Sequence, residues 1–478
     1  MKTLSLLLAT VIAATGAAQA DPAADPVDRT QPPAAGALPT VQFPDAVTET
    51  LPNGLKVFIL PTHKQPIATF RLVFKSGDAA DGAKPGLSDL TASLLNKGTA
   101  QYSAAEFAKK TDFLGIRVEG ESGPDAIAVG ASGLSRDTAQ ILDFLRDAAL
   151  SPAFRPEEVE KEKTQMISAL EQKKSDPEEL AARLRDKLIY GQHPYGASAT
   201  EESVQSITRE DIASFHKRHY RLDNATLAIV GDVDPKTVLE EVKKTFGGEP
   251  GVDDLKALPG IRPGFPQIRG VNLYVVDRPG SVQSAIIVAG RGVPRDNADL
   301  PELGVVNSIL GGGMSGRLFA NLREKHGYTY GAYSAFGSRK LAGAFSATAQ
   351  VRNAVTGAAV GEILNELKRI TTEPIPAEEF NLQRSFLVGN FLMSVENDAR
   401  TAERQQEIDL YGLPKDYYKN YAAKLEALTP ERAAELAKQY ISPENLVIVV
   451  VGEAKEIVPQ LEKYGKVTVF DADLKEKK

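Results

Sequence analysis

At 478 residues the chain is too long for a single hydrophobic core, and two or more domains are expected. A composition of 42% hydrophobic and 25% charged residues is that of a soluble globular protein, and a net charge of −7 gives no ground for nucleic-acid or anionic-lipid binding. There are no cysteines, which excludes disulfides, thiolate zinc sites and cysteine nucleophiles, and five histidines are the whole supply of imidazole.

Met1-Lys2 is a short basic start, Leu4 to Ala18 is apolar, and Ala18-Gln19-Ala20 has the small-x-small pattern of a signal-peptidase site. Residues 1–20 are therefore expected to be a cleavable signal peptide, with export to a bacterial periplasm and no membrane attachment afterwards. The bland alternative is an uncleaved anchor, for which the apolar run is short. Residues 21–42, rich in Ala, Pro and Asp, are expected to be a flexible leader.

The folded part opens at Val47. Pro52-Asn53-Gly54 lies between two strand-like runs, and Asn-Gly there predicts a hairpin, because both residues tolerate positive φ. A strand follows at 69–74 and a helix at 86–95. Ser103-Ala-Ala-Glu106 resembles a capping box before another helix. A strand is expected at 126–129, a helix at 136–150 with Ile141, Leu142, Leu145 and Ala149 on one face, and a long charged helix at 156–174. Thr208-Arg-Glu-Asp211 starts a further helix. The strand 226–230 then leads through Gly231 to Asp234-Pro235, an N-cap and first helical residue, and Gly247-Gly248 ends that helix.

The same order recurs in the second half. The strands 272–276 and 285–289, the helix 302–310, the strand 344–351 and the strand 445–451 before Gly452 repeat the earlier series. Between the halves lies a Pro/Gly-rich stretch with Pro250, Pro259, Pro263 and Pro266. The expectation is a duplication: domains at 43–248 and 271–478 joined by a linker at 249–270. Two unrelated α+β domains are the alternative.

Gly86-Leu-Ser-Asp-Leu-Thr-Ala-Ser-Leu-Leu-Asn-Lys-Gly-Thr99 resembles the signature segment of the insulinase/pitrilysin (M16) peptidases. There Gly-Leu precedes His-x-x-Glu-His and Lys-Gly-Thr follows it. The resemblance implies an α+β fold of two homologous α/β-sandwich domains, each an antiparallel-rich sheet with helices, in a clamshell arrangement. It also implies a zinc site of two histidines and a distal glutamate, with the glutamate between the histidines activating a water. This chain has Asp89 and Ser93 at the histidine positions and Ala92 at the general-base position. In the segment Glu162 to Leu170, Ala169 falls at the distal ligand position. One carboxylate from four groups makes no zinc site, so no metal is expected in this chain. His63, His193, His216 and His219 are expected to be structural.

Gly311-Gly-Gly-Met-Ser-Gly-Arg-Leu-Phe-Ala-Asn-Leu-Arg-Glu-Lys-His-Gly-Tyr-Thr-Tyr330 resembles the family's Gly-rich loop and Arg-Glu-x-x-Gly-x-x-Tyr motif. The resemblance assigns Arg323 and Tyr330 to stabilising the carbonyl under attack, and Gly311, Gly312 and Gly313 to close approach of a substrate strand. A core aromatic and a solvated helix arginine are the ordinary alternatives. No phosphate loop is present, since no Gly-Lys-Ser/Thr follows the glycines.

Loss of the zinc motif with retention of the Arg/Tyr pair implies the non-metal, substrate-binding subunit of a heterodimer. The partner would be a zinc-motif M16 subunit, and the substrate a peptide or unfolded polypeptide. Two competing functions are a polypeptide-binding scaffold without proteolytic role and an independent hydrolase. The nearest approach to a nucleophile elbow, Gly311 to Gly316, has no evident His/Asp partners.

Overall fold

The computed structural model describes residues 43–248 and 264–477. The expected signal peptide and leader, and residues 249–263 of the expected linker, lie outside the described residues.

Two six-stranded mixed sheets organise the chain. The first contains β1 (Val47–Thr50), β2 (Lys56–Pro61), β3 (Ile67–Phe74), β4 (Arg117–Ser122), β5 (Ile127–Leu134) and β6 (Ala225–Gly231), in the order β1-β2-β6-β3-β5-β4. The second contains β7 (Val271–Asp277), β8 (Gln283–Arg291), β9 (Thr329–Phe336), β10 (Ala344–Arg352), β11 (Leu446–Gly452) and β12 (Val467–Phe470), in the order β12-β7-β11-β8-β10-β9. Five successive places in the two orders match, as duplication requires. The sixth differs. β1 is the antiparallel hairpin partner of β2, whereas β12 arrives from the C-terminal end and runs parallel to β7. Every residue of the central strands β6 and β11 is buried, because layers cover both faces of each sheet; such strands read as continuous apolar runs rather than alternating ones.

The helices that matter here are α1 (Leu87–Ser93), α2 (Ala104–Leu114), α3 (Thr138–Leu150), α4 (Pro156–Lys174), α5 (Pro177–Tyr190), α6 (Arg209–His219), α7 (Pro235–Phe246), α8 (Leu300–Gly311), α9 (Thr356–Thr372), α10 (Ala377–Val395) and α11 (Asp398–Tyr411). Ser103 with Glu106 and Thr208 with Asp211 form capping boxes, and Pro156, Pro177 and Pro235 each open a helix where their missing N–H costs nothing.

Each half covers one face of its own sheet with its own helices and one face of the other half's sheet with a lent helix. Helix α5, from the first half, buries Leu180, Ala181, Leu184 and Tyr190 against Ala285, Ile287, Val447 and Val449 of the second sheet. Helix α11, from the second half, lies on β6 with Ala402 against Leu60, Ala228 and Val230. Gln406 of α11 donates to the Arg71 and Thr226 carbonyls at 2.9 and 3.0 Å. Burial pushes the Asp409 carboxyl up, but ion pairs with Lys56 and Lys75 outweigh this and leave it below the usual range. The hairpin between β9 and β10 adds a clamp. Arg339 donates to the Tyr195 carbonyl at 3.0 Å and to Asp186 at 3.1 Å, and lies over the Tyr190 and Tyr195 rings at 4.7 and 4.9 Å.

The first half differs from the sequence-based expectation in several places, a short helix at Glu201–Ser206 among them. The strand expected at 126–129 extends to Leu134 and pairs with β4, which the sequence pattern does not reveal. Arg-Val-Glu-Gly-Glu-Ser is polar because β4 is an edge strand, and only Val118 is buried. Helix α5 is likewise absent from that expectation; its buried side satisfies the other half.

Candidate functional site

Helix α1 starts from Gly86, whose φ of 98° a residue with a Cβ rarely adopts. Asp81 caps it, accepting from Gly86 N at 2.7 Å and Ser88 N at 2.8 Å. The side chain of Met166 on α4 approaches Gly86, and Lys173 is close enough to act electrostatically on Asp89. Ala169 lies between these two on the helix, at three- and four-residue spacings, so α4 presents it on the side toward α1.

The groups at these positions do not fit a metal. Ala92 and Ala169 carry no donor atom, and the Ser93 hydroxyl donates to the Leu90 carbonyl at 3.0 Å. Among the described residues no group of three or more His, Cys, Asp or Glu side chains is placed to hold a metal ion. Glu162, the carboxylate of α4 that packs toward this region, is paired with Lys97 at 3.2 Å. The α6 histidines are occupied: His216 Nε2 meets the Ala149 carbonyl and His219 Nδ1 the Ser76 hydroxyl, each at 2.8 Å. Burial pulls both histidines down to about 4, so they are neutral at pH 7. His193 accepts from Tyr195 N at 3.1 Å, and His63 meets Asp232 at 2.7 Å.

Three carboxylates, Asp78, Asp81 and Asp89, act on one another near the start of α1. Burial, with help from Asp78 as a neighbouring like charge, pushes Asp81 up to about 7 and Asp89 up to about 6. Both folded values lie above the unfolded one, so folding favours the protonated forms; their stabilising contribution is present below about pH 4 and is lost as pH rises through 6 to 7. The Asp89 residue is exposed, although its carboxyl is crowded by protein on one side, so water screens much of the effect and only the direction of its shift carries over to stability. Asp89→Asn is expected to melt above the parent at pH 8, by a margin that shrinks toward pH 4. A margin independent of pH, measured by thermal unfolding across that range, would remove the charge-burial account.

The second constellation is at the edge of the other sheet. Residues Ala320–Lys325 form a widened π-type turn, with His326 N bonded to the Asn321 carbonyl at 3.1 Å. Gly327, at φ 62°, reverses the chain into β9. Between Thr329 and Ala332, β9 has one residue more than β10 opposite it, a β-bulge at Tyr330-Gly331. The Thr329 hydroxyl pins the bulge, donating to the Gln350 carbonyl at 2.7 Å and accepting from Gly331 N at 3.1 Å. The bulge turns Tyr330 outward: the residue is 86% exposed, and the Arg323 guanidinium lies over its ring at 4.7 Å. Arg323 also donates to the Tyr330 carbonyl at 3.4 Å. The pair is thus fixed mutually, open to solvent, at the start of an edge strand.

The three glycines have different surroundings. A Cβ on Gly311 would meet Ser334 N at 2.7 Å, and one on Gly312 would meet the Ser308 Cα at 2.7 Å. Packing against the protein itself therefore requires these two, and only Gly313 faces open space. The loop is held by Arg317, bidentate to Glu379 at 2.8 and 2.7 Å, and by Gln383, which donates to Ser315. Asn321 in the π-type turn donates to Glu362 and Glu366. Sequence patterns do not disclose these supports or the Thr329 pin, because their partners lie far along the chain.

Two sequence profiles match the chain: "Insulinase (Peptidase family M16)" over residues 56–202 and "Peptidase M16 inactive domain" over residues 206–387. An uncharacterized zinc protease of Streptomyces coelicolor is 24% identical over 82% of this chain and 86% of its own length. One from Mycobacterium leprae is 25% identical over 82% and 88%. Among solved structures, a peptidase M16 inactive domain from Pseudomonas fluorescens superposes with a TM-score of 0.77 at 24% identity, covering 85% of this chain and 98% of that one. A protease from Helicobacter pylori gives 0.80 at 21% identity, covering 85% and 99%. The fold is that of a two-domain M16 protein. The chain belongs to the insulinase/pitrilysin (M16) peptidase family.

Proposed function

We propose that this chain is the substrate-binding, non-metal subunit of a periplasmic M16 peptidase heterodimer, working with a zinc-bearing M16 partner. The observation that carries the reading is the Arg323–Tyr330 pair, stacked and exposed at the bulged start of an edge strand, in a chain whose α1 and α4 lack the donors of a zinc site. A guanidinium and a phenol held together offer donors to the negative charge that develops on a peptide carbonyl under attack. Among the described strands β9 pairs only with β10; Asn307 already donates to its Ser334 carbonyl and Arg323 to its Tyr330 carbonyl, so an extended peptide is expected to lie at the exposed start of the strand, beside the two side chains. The partner supplies the metal-activated water, and this chain supplies binding and charge stabilisation. The periplasmic assignment rests on residues 1–20.

The test uses the purified chain, a zinc-motif M16 subunit from the same genome, and an unstructured peptide. Alone, the chain is expected to hold no stoichiometric zinc and to cleave nothing. Mixed, the two are expected to co-elute and to give chelator-sensitive cleavage faster than the partner alone. One tightly held zinc per copy of this chain, with chelator-sensitive cleavage by it alone, would overturn the proposal. A heterodimer no faster than the partner alone would leave the scaffold reading in its place.

A further inference from the structure

A second site lies away from the Arg323–Tyr330 edge. Between α8, α10, α11 and the turn at 417–421 is a cavity of about 490 Å³, in the range of ligand pockets of about 300–1,000 Å³. Its apolar wall is Leu300, Pro301, Leu387, Phe391 and Tyr421. Two arginines and one carboxylate also line it.

The two arginines are in different states. Arg295 is nearly fully buried and satisfied: it donates to Glu407 at 3.0 Å, to the Tyr417 hydroxyl at 3.0 Å and to the Tyr418 hydroxyl at 2.7 Å. Tyr418 in turn donates to Glu407, so Arg295 and Tyr418 share one oxygen of this carboxylate. Arg404 lies over the Phe391 and Tyr418 rings at 4.9 and 5.5 Å. Its Nη1 is buried and has no acceptor among the described residues. Phe43 stacks on Tyr418 at 5.3 Å, which steadies that wall. The cavity therefore has two guanidinium charges against one carboxylate, and one guanidinium with a donor to spare.

A buried donor without an acceptor is costly, and a half-buried guanidinium stacked over aromatic rings binds a planar anion well. One uncompensated charge suits a monoanion, and the wall suits a bulky apolar group beside it. We propose that this cavity binds the C-terminal residue of a peptide, with its carboxylate on Arg404 and an aromatic or large aliphatic side chain against Phe391, Leu387 and Tyr421. The site is complete within this one chain, and the proposal does not depend on the Arg323–Tyr330 reading or on a partner.

Calorimetric titration of the purified chain tests it, with the tripeptide Ala-Ala-Phe, its C-terminal amide and 3-phenylpropionate as probes. The free-acid peptide is expected to bind saturably and the amide at least about tenfold more weakly, since the amide loses a charge-assisted hydrogen bond. Arg404→Leu is expected to weaken the free acid by about 10–100-fold, and Arg404→Lys by less. Ser338→Trp, at the exposed mouth of the cavity, is expected to block binding without touching Arg404. Thermal melts check that each variant is folded. Equal binding of acid and amide, no effect of Ser338→Trp, or no saturable binding of any probe would overturn the proposal. 3-Phenylpropionate binding as tightly as the tripeptide would overturn the peptide assignment in favour of a small aromatic acid.

Discussion

Arg323→Ala, assembled with a zinc-bearing partner, is expected to turn over substrate about 10²–10³-fold more slowly than the parent heterodimer, because removing one donor to a developing oxyanion has an effect of that size. Tyr330→Phe is expected to lose rate as well, since only the phenolic hydroxyl is removed and the ring that carries Arg323 remains. Neither change touches a core contact: Tyr330 is 86% exposed, and Arg323 holds only the exposed Tyr330 and Glu324. Stability, heterodimer formation and the partner's zinc content should therefore stay as they were. Arg323→Lys separates charge from geometry, because an ammonium keeps the charge but loses the flat stacking on Tyr330 and the forked donors. It is expected to recover only part of the lost rate. Full turnover by both Arg323→Ala and Tyr330→Phe in a normal heterodimer would sink the catalytic-assistance idea.

The second large effect is on stability. Leu184 of α5 has no exposed surface and lies against the second sheet, although it belongs to the first half. Leu184→Ala is expected to destabilise the chain by about 2–5 kcal/mol, through lost burial and the cavity left behind. The location of the effect is the sharper test. Since each half lends a helix to the other, α5 one way and α11 the other, uncovering the second sheet also releases the grip of Gln406 and Asp409 on the first. Hydrogen exchange in β6 and β11 is expected to accelerate together in the variant. Phe113→Ser, at an exposed position on α2, is the control and should stay within about 0.5 kcal/mol of the parent. If β11 opened in Leu184→Ala while β6 kept its full protection, the halves would be independent folding units and the helix exchange merely a docking contact.

The same exchange shows why some elements are legible in the sequence and others are not. The hairpin at Pro52-Asn53-Gly54, the caps at Ser103, Thr208 and Asp234, and the bounds of α4 are set by residues within four positions of one another, so their hydrogen bonds can be read locally. Strands β6 and β11 announce themselves because burial on both faces leaves no polar position. The misfit with a zinc site is also local: once the family resemblance places Ala92 and Ala169 at the general-base and distal-ligand positions, their residue type alone supplies no donor atom there. Other features depend on partners far along the chain. The polar run of β4 is a strand only because β5 pairs with it. Helix α5 is stable where it is because the second sheet accepts its apolar face, and nothing within α5 specifies that sheet. Only the tertiary structure decides that Tyr330 faces solvent, since its direction comes from a bulge defined against β10 and pinned by Thr329. The same holds for Arg404: its charge is written in the sequence, but that its Nη1 is buried without an acceptor among the described residues is decided by the packing around it. Hydrogen-bond chemistry and periodicity act over a few residues and are visible in the chain, whereas exposure, register and competition for partners are properties of the packed whole.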